Sequence, residues 1–258
     1  MVKTGRLAFV AAFVIATSVA LAGAAEASHS WGGYHWARTA NPFTLQLGDN
    51  VSGAWDSMLR TASSDWSQSN VLDTTVVAGR TKPKACRPTA GRVEVCSARY
   101  GNTGWLGLAQ IWITGGEHIT QGVVKNNDYY FGRSTYEYNN TAEMQHVICQ
   151  EVGHTFGLDH QSEDGSSQNT CMDYYHNTSA SDTTSTHPNQ HDYDELATIY
   201  AHLDGTNTFK SAPAGASPVG VPGADENGTP LGASPERGAW YAQDLGNGGR
   251  LLTHIYWK

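Results

Sequence analysis

The chain has 258 residues, of which 39% are hydrophobic and 16% charged, enough to bury a full core in one globular domain with appendages. Its formal charge of −8 and pI near 5.7 give no electrostatic basis for binding nucleic acid or anionic lipid, so neither is expected as a partner.

Residues 1–27 carry Lys3 and Arg6, an apolar run from Leu7 to Gly23, and the small-x-small site Ala25-Glu26-Ala27, the layout of a secretion signal. Nothing later in the chain is apolar enough to cross a membrane, so the mature protein is expected to be extracellular and free of the bilayer. Residues 28–210 form the expected main domain. Within it "FTLQL" (43–47) alternates like a strand. Asp49 or Asn50 then stands where it can cap a helix bearing Val51, Trp55, Leu59, Ala62 and Trp66 at helical spacing. Four more strands are predicted at 71–77, 92–96, 106–113 and 118–125, then a central helix from Asn140 to before Gly157, and another over 192–203. Residues 211–235 are rich in Pro, Gly and Ala and read as a linker. In the last segment, 236–258, "GRLLTHIYWK" can add a strand.

Export makes Cys86, Cys96, Cys149 and Cys171 legible as two disulfides, for which three pairings exist. A local Cys86–Cys96 bridge across a hairpin turning at Ala90-Gly91 is the least demanding, and leaves Cys149 to pair with Cys171.

The chemistry concentrates in "QEVGHTFGLDH" (150–160). At 100° per residue, Met144, Val147, Ile148, Val152 and Phe156 gather on one side of the central helix, while His146, Gln150 and His154 line the other. Glu151 stands beside that second face. Gly157 lets the chain turn sharply, so that His160 returns toward His154 from outside the helix.

This stretch, followed by "CMDY" (171–174), resembles the metzincin clan of zinc endopeptidases, matching H-E-x-x-H-x-x-G-x-x-H in all but its first histidine, which is Gln150 here. The resemblance implies an α+β, metzincin-like fold: a twisted, mostly parallel five-stranded sheet with an active-site helix, a methionine turn and a C-terminal helix. It implies Zn2+ held by His154, His160 and, more weakly, the Gln150 side-chain oxygen, with Glu151 as general base toward a water at the open position. Tyr174 is then a metal ligand at rest or a donor to the oxyanion, and Met172 a packing floor. Leu106, Gly107, Leu108 and Ala109 resemble the edge strand along which such enzymes lay an extended polypeptide substrate. A monomer is expected.

Two features depart from the clan. His146 cannot stand in for Gln150, because it lies eight residues, about 12 Å of helix axis, from His154 and leans toward the N-terminus. Residues 28–42 leave no room for a propeptide and contain no cysteine, so latency would need another device. Two other functions compete: a metzincin-fold pseudoprotease that binds peptides with little or no zinc, and a glycan- or surface-binding module built on the aromatics of "DYYFGRSTYEY" (128–138). The remaining histidines, His29, His35, His118, His176, His187, His191, His202 and His254, read as ordinary surface or hydrogen-bonded residues.

Overall fold

The computed structural model describes Met1 and residues 28–210, 229–230 and 239–258; the expected signal segment and almost all of the linker lie outside the described residues. In chain order the elements are β1 (His35–Trp36), β2 (Phe43–Asn50), α1 (Trp55–Trp66), β3 (Leu72–Ala78), β4 (Val93–Ala98), β5 (Trp105–Thr114) and β6 (His118–Asn127), followed by α2 (Asp128–Phe131), α3 (Thr141–His154), α4 (Gln190–Ile199), β7 (Thr229–Pro230), β8 (Ala239–Gly246) and β9 (Gly249–Trp257). The class is α+β, and none of the described helices is long and apolar enough to cross a membrane.

The strands form one mixed sheet in the order β3-β2-β4-β6-β5-β9-β8-β7, with β1 pairing to β6 off that path. β2, β3, β4 and β6 are parallel neighbours and β5 runs antiparallel to β6, so the five predicted strands all lie in the sheet, which has nine strands rather than the five expected. The sheet does not stop there, because β9 pairs antiparallel with β5 and carries β8 with it. Asn247 and Gly248 join β8 to β9 with φ of 52° and 76°, the doubly left-handed turn that an Asn-Gly pair favours in two-residue hairpins.

Among the helices, α1 starts later than expected, and α4 ends at Ile199 instead of residue 203. α1 begins at Trp55, and neither Asp49 nor Asn50 caps it, because β2 runs on to Asn50, which pairs with Cys96 of β4. The Asn50 amide instead donates to the buried Glu94 carboxylate at 2.7 Å. α4 begins two residues early at a capping box between Asn189 and Asp192. The core lies between the sheet and α1 and α3, where Leu45, Leu47, Leu59, Trp66, Val147, Ile148 and Val152 are fully buried.

Cys86 bonds Cys96 and Cys149 bonds Cys171, the pairing of the local-bridge expectation. The first bridge closes a loop in front of β4 rather than joining two hairpin strands, since Cys86 lies outside any strand. The aromatics of 128–138 pack inward: Tyr130 and Phe131 are buried and Tyr136 lies against the core.

A candidate metal centre beneath a C-terminal hairpin

α3 presents the motif. The Asn140 side chain accepts from the Glu143 amide at 3.0 Å, starting the helix where the sequence predicts, and the helix ends at His154. Gly157 then takes φ of +96°, and a Cβ there would lie 1.9 Å from the Tyr34 carbonyl oxygen, so only glycine fits. The turn returns His160 to His154, with 4.9 Å between ring centres.

A third imidazole completes the group, and it is His254 of β9, which sequence reasoning counted among ordinary histidines. The ring centres of His254 lie 4.1 Å from His154 and 4.8 Å from His160. One nitrogen from each of the three rings falls within 4.8 Å of the others. All three Nε2 atoms are buried without a hydrogen-bond partner among the described residues.

Their other nitrogens explain why. His154 Nδ1 donates to the Leu158 carbonyl at 2.9 Å, His254 Nδ1 to Glu151 Oε2 at 3.0 Å, and His160 Nδ1 reaches Glu163 Oε1 at 3.4 Å. A carbonyl oxygen accepts only, so the His154 proton sits on Nδ1 and its Nε2 lone pair faces the shared centre; carboxylates ionised beside a bound cation would set His254 and His160 the same way, the usual outer-shell arrangement of metal-binding histidines. Burial, with the neighbouring imidazoles adding to it, holds His154 and His254 well below the ordinary histidine range, which favours the neutral, ligating form. Burial also raises Glu151 well above the usual carboxylate range, a tendency that a cation at the centre opposes.

Gln150 serves a different contact. Its amide nitrogen donates to the carbonyls of Cys171 at 2.9 Å and Asp173 at 2.7 Å, and two acceptors on that side identify the group facing them as the NH2. Its Oε1 is buried and without a hydrogen-bond partner among the described residues. His146 is bonded to Asn177 and to the Asp173 carbonyl, and belongs to none of the described metal-ligand groups. Met172 is fully buried with its sulfur against Gly153, where a Cβ would lie 2.6 Å from it. The Tyr174 ring stands 5.8 Å from the His160 ring.

Leu106, Gly107, Leu108 and Ala109 do lie on β5 beside α3, where Gly107 leaves room for Val147 and Glu151. They are not an open edge. β9 covers them, with Gly107 opposite Tyr256, Leu108 opposite Ile255 and Ala109 opposite His254. Sequence reasoning missed this because a strand's partner is not written in its own residues.

The hairpin also roofs the centre. Trp240 of β8 places its ring 4.7 Å from His154 and 4.5 Å from His254, and its indole donates to Asp159 Oδ1 at 2.8 Å. Asp159 and Glu163 form another possible metal group with His160, but Asp159 Oδ1 already accepts from Trp240 and from the His160 amide. Compared with protein-family models and with curated proteins, the chain matches none.

Proposed function

We propose that the protein is a secreted, zinc-dependent endopeptidase of metzincin type whose centre is closed by its own C-terminal hairpin. The observation that carries this reading is the convergence of three buried, unpartnered Nε2 atoms, from His154, His160 and His254, with Glu151 beside them. Imidazole nitrogens suit zinc rather than calcium or magnesium. Zinc held there supplies Lewis acidity for polarising a peptide carbonyl and activating water.

The remaining chemistry belongs to the chain. In the closed state Glu151 orients His254 and is occupied by it. Once the hairpin lifts, that carboxylate is free to take a proton from an attacking water and pass it to the leaving amine. Tyr174 donates to the oxyanion. The backbone of Leu106–Ala109, now paired with β9, pairs instead with an extended polypeptide, which is the substrate. Gln150 braces the turn carrying Met172 and leaves the third ligand position to His254. Two disulfides and the signal-like N-terminus support secretion, and one chain supplying every ligand suits a monomer.

A second reading, a zinc-holding pseudoprotease, is favoured by the depth at which β9 packs. Leu251, Leu252, Ile255 and Tyr256 are all buried, at about 1.5–3 kcal/mol for each such side chain, so spontaneous opening is rare. Hydrolysis of a denatured polypeptide by the zinc-loaded protein and its His254→Ala variant, at saturating zinc, separates the two. The latent-enzyme reading expects the variant to exceed the natural protein at least ~10-fold, and expects Glu151→Gln in that background to remove ~10²- to 10⁴-fold. Zinc bound without hydrolysis in either protein establishes the pseudoprotease.

A further inference from the structure

We propose that the protein binds a second zinc ion, with a structural role, between His35, His118, His202 and Asp204. These residues come from three distant parts of the chain. β1 lies parallel to β6 with His35 directly opposite His118, so strand register alone sets the two imidazoles side by side, 5.0 Å between ring centres. The segment after α4 brings His202 and Asp204 to the same place, held by the Asp204 amide donating to the Arg38 carbonyl at 2.8 Å.

Four of the six donor-to-donor spacings fall near those of a zinc shell, and His35, His118 and Asp204 offer ligand atoms that all lie within 4.8 Å of one another. Asp204 Oδ1 lies 3.2 Å from His118 Nε2, 3.5 Å from His35 Nε2 and 3.7 Å from His202 Nε2, and the two Nε2 atoms of His35 and His202 are 3.2 Å apart. Four ligands on bonds of ~2.0–2.1 Å at tetrahedral angles stand roughly 3.3–3.4 Å from one another, within this range.

The surroundings prepare the same donors. His35 Nδ1 donates to the Gly33 carbonyl at 2.8 Å, which turns Nε2 toward the Asp204 carboxylate and His202. Asp204 Oδ2 accepts from the fully buried Arg38, from Nη1 at 2.7 Å and from the backbone amide at 3.1 Å, so Oδ1 is the oxygen left for the cluster. His35 is 1% exposed and His202 53%, a buried base with a solvent-facing rim through which an ion can enter.

Four protein ligands leave no open position, so the role is structural. The ion would clasp β1 and the segment after α4 against the end of α3, where Trp36 Nε1 donates to the Thr155 carbonyl and Tyr200 donates to that of Phe156, both at 2.9 Å. That is the turn that delivers His160. The proposal is independent of catalysis at the first centre.

The test is metal stoichiometry on the full-length protein. Purified in zinc and freed of loose ion, it is expected to hold two equivalents, and His118→Ala with His202→Ala to hold one. His154→Ala with His160→Ala should also hold one, and cobalt(II) loaded into that variant should show the visible absorption of a tetrahedral nitrogen-oxygen site. His118→Ala and His202→Ala tested singly, each with its circular dichroism checked, separate ligand loss from misfolding. Two equivalents that survive in the His118→Ala/His202→Ala protein overturn the proposal, as does a His154→Ala/His160→Ala protein that holds no zinc or whose cobalt stays octahedral.

Discussion

Trp240→Ala should loosen the hairpin without dissolving the domain. The Trp240 side chain is 5% exposed, lies tilted against Trp31 with 3.6 Å between ring centres, and donates to Asp159. Truncating a buried Trp costs about 3–5 kcal/mol, and loss of the indole bond about 1 kcal/mol more, because Asp159 keeps the His160 amide. Nearly all of this falls on hairpin docking, so the opening equilibrium should rise ~10³- to 10⁴-fold at 1.4 kcal/mol per decade. Amide hydrogen exchange reads it directly: Leu251–Tyr256 of β9 should lose about three to four decades of protection, while β2 and β4, held by parallel pairing on both sides, keep theirs. Unchanged exchange in β9, or an equal loss in β4, would refute the idea of a separable latch.

Gln150→Ala should destabilise the fold by about 1–3 kcal/mol in thermal unfolding, since the buried Cys171 carbonyl loses its donor and the Asp173 carbonyl keeps only His146, without removing zinc. Glu151→Gln should lower zinc affinity ~10- to 100-fold in a chelator competition, because the closed state uses this carboxylate to orient His254. Reducing Cys149–Cys171, which closes a sequence separation of 22 residues, should cost about 3 kcal/mol in denaturant unfolding and release zinc at a lower denaturant concentration than the unreduced protein. Gly157→Ala should abolish folding or lower the melting temperature by well over ten degrees, since the new Cβ meets the Tyr34 oxygen.

Local signals in the sequence carried far. Asn140 caps α3 and Gly157 ends its turn because both requirements are written within a few residues of the motif. The disulfide pairing followed from loop length. The third imidazole did not, because His254 is 94 residues from His160 and reaches it only through pairing of β9 with β5. Two signals pointed that way: Asn247-Gly248, a hairpin turn pair between alternating runs, and a histidine sharing the face of Leu252 and Tyr256 on an apolar strand. Gln150, read alone, is a weak ligand; its amide nitrogen also binds carbonyls of a turn brought close by the second disulfide, while its Oε1 is buried without a hydrogen-bond partner among the described residues. The His35–His118 register is equally non-local.

The most direct measurement of the central claim is zinc affinity at the buried centre, by chelator competition in a His118→Ala/His202→Ala background, for His154→Ala, His160→Ala, His254→Ala and Gln150→Ala. Loss of a direct ligand should exceed the ~10- to 100-fold expected of outer-shell changes. The three histidine variants should therefore each lose more than ~100-fold and Gln150→Ala less than ~10-fold; affinity retained in His254→Ala and lost in Gln150→Ala would contradict the account.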